Sequence, residues 1–78
     1  MSDNEAENEL VRMANEIAAF FKPYPHDEAV ADISQHILDF WDPRMRRAMI
    51  AHLEAGGEGL QPLALEGLEA ALRPAPAA

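Results

Sequence analysis

The sequence predicts an all-α protein, a small bundle of about four short helices that pack as paired helical hairpins. Prolines and glycines divide the 78 residues into four segments of helical length. Within each segment, apolar residues recur three and four positions apart, which places them on one face of an α-helix. Sustained alternation of apolar and polar residues, which would indicate a strand, is missing from all four segments, so we expect no sheet.

The first helix is predicted from about Glu5 to Phe21. Acidic residues crowd its start, where the helix dipole favours negative charge. Pro23 and Pro25 follow Phe21 and stop the helix. Its apolar face consists of Leu10, Met13, Ala14, Ile17, Ala18 and Phe21.

The second helix is predicted to begin near Pro25, because proline is tolerated in a first helical turn. It should end near Phe40 or Trp41, because Pro43 disfavours helical geometry at the residue before it. Its apolar stripe consists of Val30, Ile33, Ile37, Phe40 and Trp41.

The third helix has the clearest predicted start. Asp42 can cap it, and Pro43 suits the first helical position. Gly56 and Gly57 can adopt the left-handed geometry that ends a helix. Its apolar face consists of Met45, Ala48, Met49, His52 and Leu53.

The fourth helix is predicted from near Pro62 to about Leu72. Gly67 lies inside it and weakens it by about 1 kcal/mol relative to alanine. Its apolar residues are Leu65, Leu68 and Leu72, with Leu63 and Ala64 beside them.

One helical domain is predicted over residues 5–73, between a disordered acidic N-terminus at 1–4 and a disordered Pro/Ala tail at 74–78. A core of this size supplies only about 3–5 kcal/mol of stability. The chain has no cysteine, which excludes disulfides and thiolate metal sites. Stability must therefore come from close helix packing or from a partner chain.

The charge balance restricts the class of partner. The formal net charge is −8, from 14 acidic and 6 basic residues. This excess of negative charge repels nucleic-acid phosphates and anionic membrane surfaces, and no apolar run reaches the roughly 20 residues of a membrane span. The acidic start also differs from the basic start of a signal peptide. We therefore expect a cytoplasmic protein that binds neither nucleic acid nor membrane.

The segment from Phe40 to Arg47 is the main candidate for a docking surface. It contains the single tryptophan and three of the six basic residues. These arginines stand at the start of the third helix, where the dipole disfavours a cation by about 0.3–1 kcal/mol each. Local rules are often broken for function, and arginine and tryptophan are enriched at interface hot spots. The residues predicted here to bind a partner are Phe40, Trp41, Pro43, Arg44, Arg46 and Arg47.

An alternative interpretation of this segment needs no partner. In that interpretation Phe40 and Trp41 complete the core of the bundle. The arginines then pair with acidic side chains of the same chain, such as Asp39 and Asp42. The sequence leaves both interpretations open.

Two pairs of adjacent aromatic residues indicate exposed apolar surface. Phe20 is followed by Phe21, and Phe40 by Trp41. Neighbouring residues on a helix point in different directions, so both members of a pair cannot face the same core. If Phe21 is in the core, Phe20 either caps a hairpin or lies in an exposed patch of the kind that marks interfaces. Phe20 therefore joins the predicted partner-binding residues.

Other chemistries find little support in the sequence. The segment 56–59 is rich in glycine but matches no phosphate-binding glycine motif. His26, His36 and His52 lack the spacing of a metal site. No nucleophile stands at a fixed distance from a base. We therefore predict no catalytic, cofactor-binding or metal-binding residue in this chain.

Three stretches resemble a known family: Val11–Phe21, Phe40–Arg46 and Gly56–Leu63. In this order and in so short a chain, they resemble the delta subunit of bacterial NAD-dependent formate dehydrogenases that contain molybdenum or tungsten. The resemblance extends from about Leu10 to Leu72.

This resemblance implies a place in a cytoplasmic complex. The alpha subunit would carry bis-molybdopterin guanine dinucleotide and iron–sulfur clusters, and the beta and gamma subunits would pass electrons to FMN and NAD. The chain itself would hold no cofactor and no catalytic residue. It would be a non-catalytic accessory subunit that binds the alpha subunit and supports assembly or stability. The alternatives are a transient chaperone for metal-cofactor insertion and a small cofactor-binding protein.

Overall fold

A computed structural model describes residues 2–74, with side chains from residue 7 onward. Four helices follow one another along the chain, and no strand occurs between residues 2 and 74. The all-α class predicted from the sequence is therefore confirmed. The helices are α1 Ser2–Phe21, α2 His26–Phe40, α3 Pro43–Glu54 and α4 Pro62–Leu72.

The helix ends follow the local signals closely. Asp42 caps α3, because its Oδ1 accepts a hydrogen bond of 2.9 Å from the backbone N–H of Met45. Pro43 occupies the first turn of α3, and Pro62 the first turn of α4. The first helix begins at Ser2, ahead of the expected start near Glu5.

The predicted disordered ends are not decided by the structure. Met1 and residues 75–78 lie outside the part of the chain that the structure describes. The disorder expected at Met1 and at residues 75–78 therefore stays a prediction, whereas residues 2–4 belong to α1.

The core is formed by one apolar face from each helix. About half of the predicted core positions are buried, and nearly all the others are half-buried. The tryptophan that follows α2 is among the buried residues. The buried cluster contains Leu10, Ala14, Ala18, Ile33, Ile37, Trp41, Met49, Leu53, Ala64 and Leu68.

Of the two residues predicted at the end of the α2 stripe, Trp41 lies in the core and Phe40 does not. Phe40 is 70% exposed, whereas Trp41 is only 3% exposed. The helix ends at Phe40, and Trp41 has extended backbone angles (φ −92°, ψ 127°). This change of backbone direction lets Trp41 enter the core, while Phe40, still on the helix, points away from it.

The helices α2 and α4 pack closely at Gly67. A Cβ atom on Gly67 would lie 2.3 Å from Ile33 Cγ2 and 2.7 Å from Ile33 Cβ. Both residues are fully buried. The glycine that weakens α4 locally is therefore what permits α2 to approach it.

The loop between α3 and α4 is attached to α1 by one amide side chain. Asn15 Nδ2 donates to the Gly59 carbonyl at 3.0 Å, and the Gln61 N–H donates to Asn15 Oδ1 at 2.8 Å. Gly57 and Gly59 have positive φ angles of 66° and 88°, which glycine adopts at little cost. The loop thus holds α4 in place relative to α1.

Candidate functional site

An open apolar groove lies where the end of α1, the end of α2 and the start of α3 meet. Its volume is ≈ 700 Å³. Seven of its nine lining residues are aromatic or apolar, and the two others are a glutamate and a histidine. The lining consists of Met13, Glu16, Ile17, Phe20, Phe21, His36, Phe40, Trp41 and Met45.

Two phenylalanines form the exposed part of this groove. Phe20 is 69% exposed and Phe40 is 70% exposed. Phe20 packs edge-to-face on Phe21 with ring centroids 5.0 Å apart, and the Phe40 ring centroid lies 4.6 Å from that of His36. Two large rings left in solvent on so small a protein are typical of a contact surface. The structure thus brings together Phe20 and Phe40, two residues that the sequence selected separately.

Trp41 also lines the groove, but from the core side. At 3% exposure it offers little surface to a partner in this state of the chain. Its backbone N–H donates to the Ile37 carbonyl at 2.9 Å, which continues the hydrogen bonding of α2 for one more residue. Trp41 therefore shapes the groove from below.

Arg46 is attached to the end of α2. Its Nε donates to the Trp41 carbonyl at 2.8 Å, and one of its terminal nitrogens donates to the Leu38 carbonyl at 2.7 Å. The last carbonyls of a helix carry partial negative charge and need donors. The charge of Arg46 is unfavourable at the start of α3, but the same charge is favourable at the end of α2, where it binds the last carbonyls.

The acidic partners suggested by the alternative interpretation are engaged elsewhere. Asp39 accepts a hydrogen bond of 2.8 Å from Gln35, and Asp42 caps α3. Arg46 therefore binds backbone carbonyls, and not these carboxylates. The internal role foreseen for an arginine is present, but its chemistry differs.

The two other arginines of this segment face solvent, as does the proline before them. Pro43, Arg44 and Arg47 are all exposed. Among the side chains of residues 7–74, no carboxylate lies within ion-pair distance of Arg44 or Arg47. Arg44 lies in the short segment between the lining residues Trp41 and Met45. Positive charge is therefore available beside the groove.

The only carboxylate of the groove lining is held by a neighbour on its own helix. Arg12 donates to Glu16 at 2.9 Å and also pairs with Glu9. The hydrogen bond and the charge of Glu9, with the charge of Glu16, raise the pKa of the Arg12 guanidinium above its ordinary value. Glu16 is thus paired within α1.

The histidines serve separate contacts. His26 pairs with Glu66 at 2.9 Å, and His52 Nε2 lies 2.8 Å from the Glu58 carbonyl oxygen. His36 packs on Phe40. Among the described side chains, those of residues 7–74, no group of three from His, Cys, Asp or Glu is arranged to hold a metal ion.

The sequence of this chain matches a known protein family. Residues 9–68 match the family model described as NADH-dependant formate dehydrogenase delta subunit FdsD. The chain belongs to the FdsD family. The match contains all nine residues that line the groove, and it confirms the resemblance seen in the sequence. No curated protein and no solved structure matches the chain.

Within the FdsD match, sequence reasoning missed the structural roles of three residues. Asn15 was part of the recognised first stretch, but nothing local shows that its amide reaches the loop before α4. Arg46 was selected as a contact residue because it breaks the dipole rule, and that same signal fits its role at the end of α2. Gly67 was noted only as a weak point of α4.

None of the helices between Ser2 and Leu72 has the combined length and apolarity that crossing a bilayer requires.

Proposed function

We propose that this chain is a non-catalytic accessory subunit of a cytoplasmic NAD-dependent formate dehydrogenase complex. It docks on the catalytic, molybdopterin-containing alpha subunit and supports assembly or stability of the complex. The observation that carries this proposal is the FdsD match over residues 9–68. The exposed apolar groove, which lies inside that match, supports a role in binding another protein.

In this proposal the contact surface is the groove and the exposed start of α3. The residues that touch the partner are Phe20, Phe40, Pro43, Arg44 and Arg47, since all five are exposed. Trp41 and Arg46 act from within the chain. Trp41 forms the floor, and Arg46 holds the end of α2 against the start of α3.

The redox groups of the complex belong to the partner subunits. The alpha subunit carries bis-molybdopterin guanine dinucleotide and iron–sulfur clusters, and the beta and gamma subunits handle FMN and NAD. The chain has no cysteine to offer an iron–sulfur cluster. In this proposal, the chain therefore adds contact area between subunits and extends the lifetime of the assembled enzyme.

The test is purification of the enzyme through a tag on the alpha subunit, from cells with and without this chain. We expect the chain to be present in the mature, cofactor-loaded complex at a fixed ratio to alpha. Deleting the chain should lower the yield of intact complex while leaving the formate-oxidising chemistry of surviving molecules unchanged. Quantitative mass spectrometry and activity per bound molybdenum measure the two effects.

Two outcomes would contradict the proposal. A chain bound to cofactor-free alpha but missing from the mature complex would be a transient assembly chaperone. A chain found with neither form of alpha would not be an accessory subunit of this enzyme. As a control, the same tag on the beta subunit should recover the chain only when alpha is present.

A further inference from the structure

We infer that the groove receives a single amphipathic α-helix of the catalytic subunit, an inference that rests on the proposed function. Aliphatic side chains of that helix enter between Phe20 and Phe40. Carboxylates on its flank pair with Arg44 and Arg47. The occupant is thus defined by its chemistry: helical, aliphatic on one face and acidic beside it.

The walls of the groove favour a helix over an extended peptide. An extended peptide gains affinity from hydrogen bonds to an exposed strand edge. The walls are helices whose backbone groups are bonded internally, and residues 2–74 contain no strand. The carbonyls of Leu38 and Trp41, at the end of α2, are taken by Arg46. A helix satisfies its own backbone and needs only side-chain pockets.

The lining suits aliphatic side chains. Met13 and Met45 have flexible thioether side chains that adapt to the shape of an entering group. Phe20 and Phe40 offer large apolar rings. The groove is open, and its volume of ≈ 700 Å³ has room for several side chains spaced along one helix face.

Charge decides between a partner protein and a second copy of this chain. Two copies would bring together two net charges of −8, which repel each other. Glu16, the one carboxylate of the lining, is already paired with Arg12. Arg44 and Arg47 lie three residues apart on α3, so they occupy neighbouring positions on the helix surface. They complement an acidic flank on a different protein.

Photo-crosslinking in the assembled complex tests the occupant. Phe20 or Phe40 is replaced by p-benzoylphenylalanine, the complex is irradiated, and the linked peptides are identified by mass spectrometry. We expect both positions to link to the same segment of the catalytic subunit. That segment should have aliphatic residues three and four positions apart, with Asp or Glu beside them. Tyr24 and Leu38 are the matched controls, because both are exposed but lie outside the lining.

Several crosslinking results would overturn the inference. These are links from both test positions to a second copy of this chain, links to an extended segment without helical spacing, and equal linking from Tyr24 and Leu38. If the chain co-purifies with the catalytic subunit but its groove positions do not link to it, the inference fails and the proposed function stands. If the chain does not co-purify at all, the proposed function fails.

Affinity measurements supply a second readout that does not depend on crosslinking. Together, Phe20→Ala and Phe40→Ala should weaken binding to the complex by about 100-fold, as expected when two aromatic anchors are removed. Together, Tyr24→Ala and Leu38→Ala should change it by less than about threefold. Arg44→Glu with Arg47→Glu should slow association and reduce its salt dependence. Unchanged affinity in the phenylalanine variant, with circular dichroism showing a folded chain, contradicts the inference.

Discussion

Two regions of the molecule differ in the size of the side chains at their centres. One is the contact between α2 and α4, and the other is the apolar groove. At the first, Gly67 has no side chain, and Ile33 fills the space that a Cβ would need. At the second, Phe20 and Phe40 are each about 70% exposed, so the residues that the structure describes leave both rings largely uncovered. Close packing therefore completes one region, and the other is left with apolar surface in solvent.

Under the proposed function, this difference separates stability from binding within 78 residues. A chain of this length gains only about 3–5 kcal/mol from its core, so it must pack some helices very closely. The buried α2–α4 contact meets that need. The groove contributes less to the isolated chain, and its exposed rings are free to contribute to a complex. Four predictions test this division, from the largest expected effect to the smallest.

The first prediction concerns the contact between α2 and α4 at Gly67. Gly67→Ala should lower the free energy of unfolding by about 3 kcal/mol, because the added methyl group overlaps Ile33 in a packed interior. Urea unfolding followed by circular dichroism measures the change. Combining Gly67→Ala with Ile33→Ala should recover part of the loss. A Gly67→Ala chain more stable than the original would show that helix propensity outweighs packing here.

The second prediction concerns the two kinds of arginine. Arg46→Ala should cost about 2 kcal/mol, because the carbonyls of Leu38 and Trp41 lose a charged donor. Arg47→Ala is the matched control and should change stability by less than about 0.5 kcal/mol, since Arg47 is exposed. Thermal unfolding of both variants measures the difference. Equal losses of stability in the two variants would show that the hydrogen bonds of Arg46 do not stabilise the end of α2.

The third prediction concerns the attachment of the loop. Asn15→Ala should cost about 1 kcal/mol through loss of the hydrogen bonds to Gly59 and Gln61. Asn15→Asp retains the acceptor for the Gln61 N–H, so its stability should lie between that of the original chain and that of Asn15→Ala. Hydrogen exchange of the Gln61 amide measures the local effect directly. An amide that exchanges at the same rate in all three chains would refute the attachment.

The fourth prediction concerns the open groove in the isolated chain. Phe20→Ala should change the free energy of unfolding by less than about 0.5 kcal/mol, because the ring is mostly exposed before and after folding. Phe40→Ala should cost slightly more, since its ring packs on His36. Chemical unfolding of each variant measures these losses. A loss comparable to that of Gly67→Ala would mean that the groove stabilises the isolated chain as strongly as the contact between α2 and α4 does.

Much of the fold was predictable because the helix ends are determined locally. The cap at Asp42, the prolines at positions 43 and 62 and the glycines at 56 and 57 act through their own backbone geometry. Pro23 and Pro25 likewise predicted the end of α1 at Phe21, and the end of α4 was predicted at Leu72. The exposure of the predicted contact residues was less predictable, because exposure depends on what packs nearby. The rule that adjacent aromatics cannot both face the core was correct, but it could not say which member of each pair is buried.

By itself, the sequence determined the fold class, the family and nearly all helix boundaries. Each depends on residue types and spacings that act within a few positions along the chain. Only the tertiary structure decided that Trp41 is buried and Phe40 exposed, and that Gly67 is a point of contact. It also decided that Arg46 caps α2, although it stands at the start of α3. These outcomes depend on residues that folding brings into contact from distant parts of the chain. Local sequence patterns do not determine the distances between such residues.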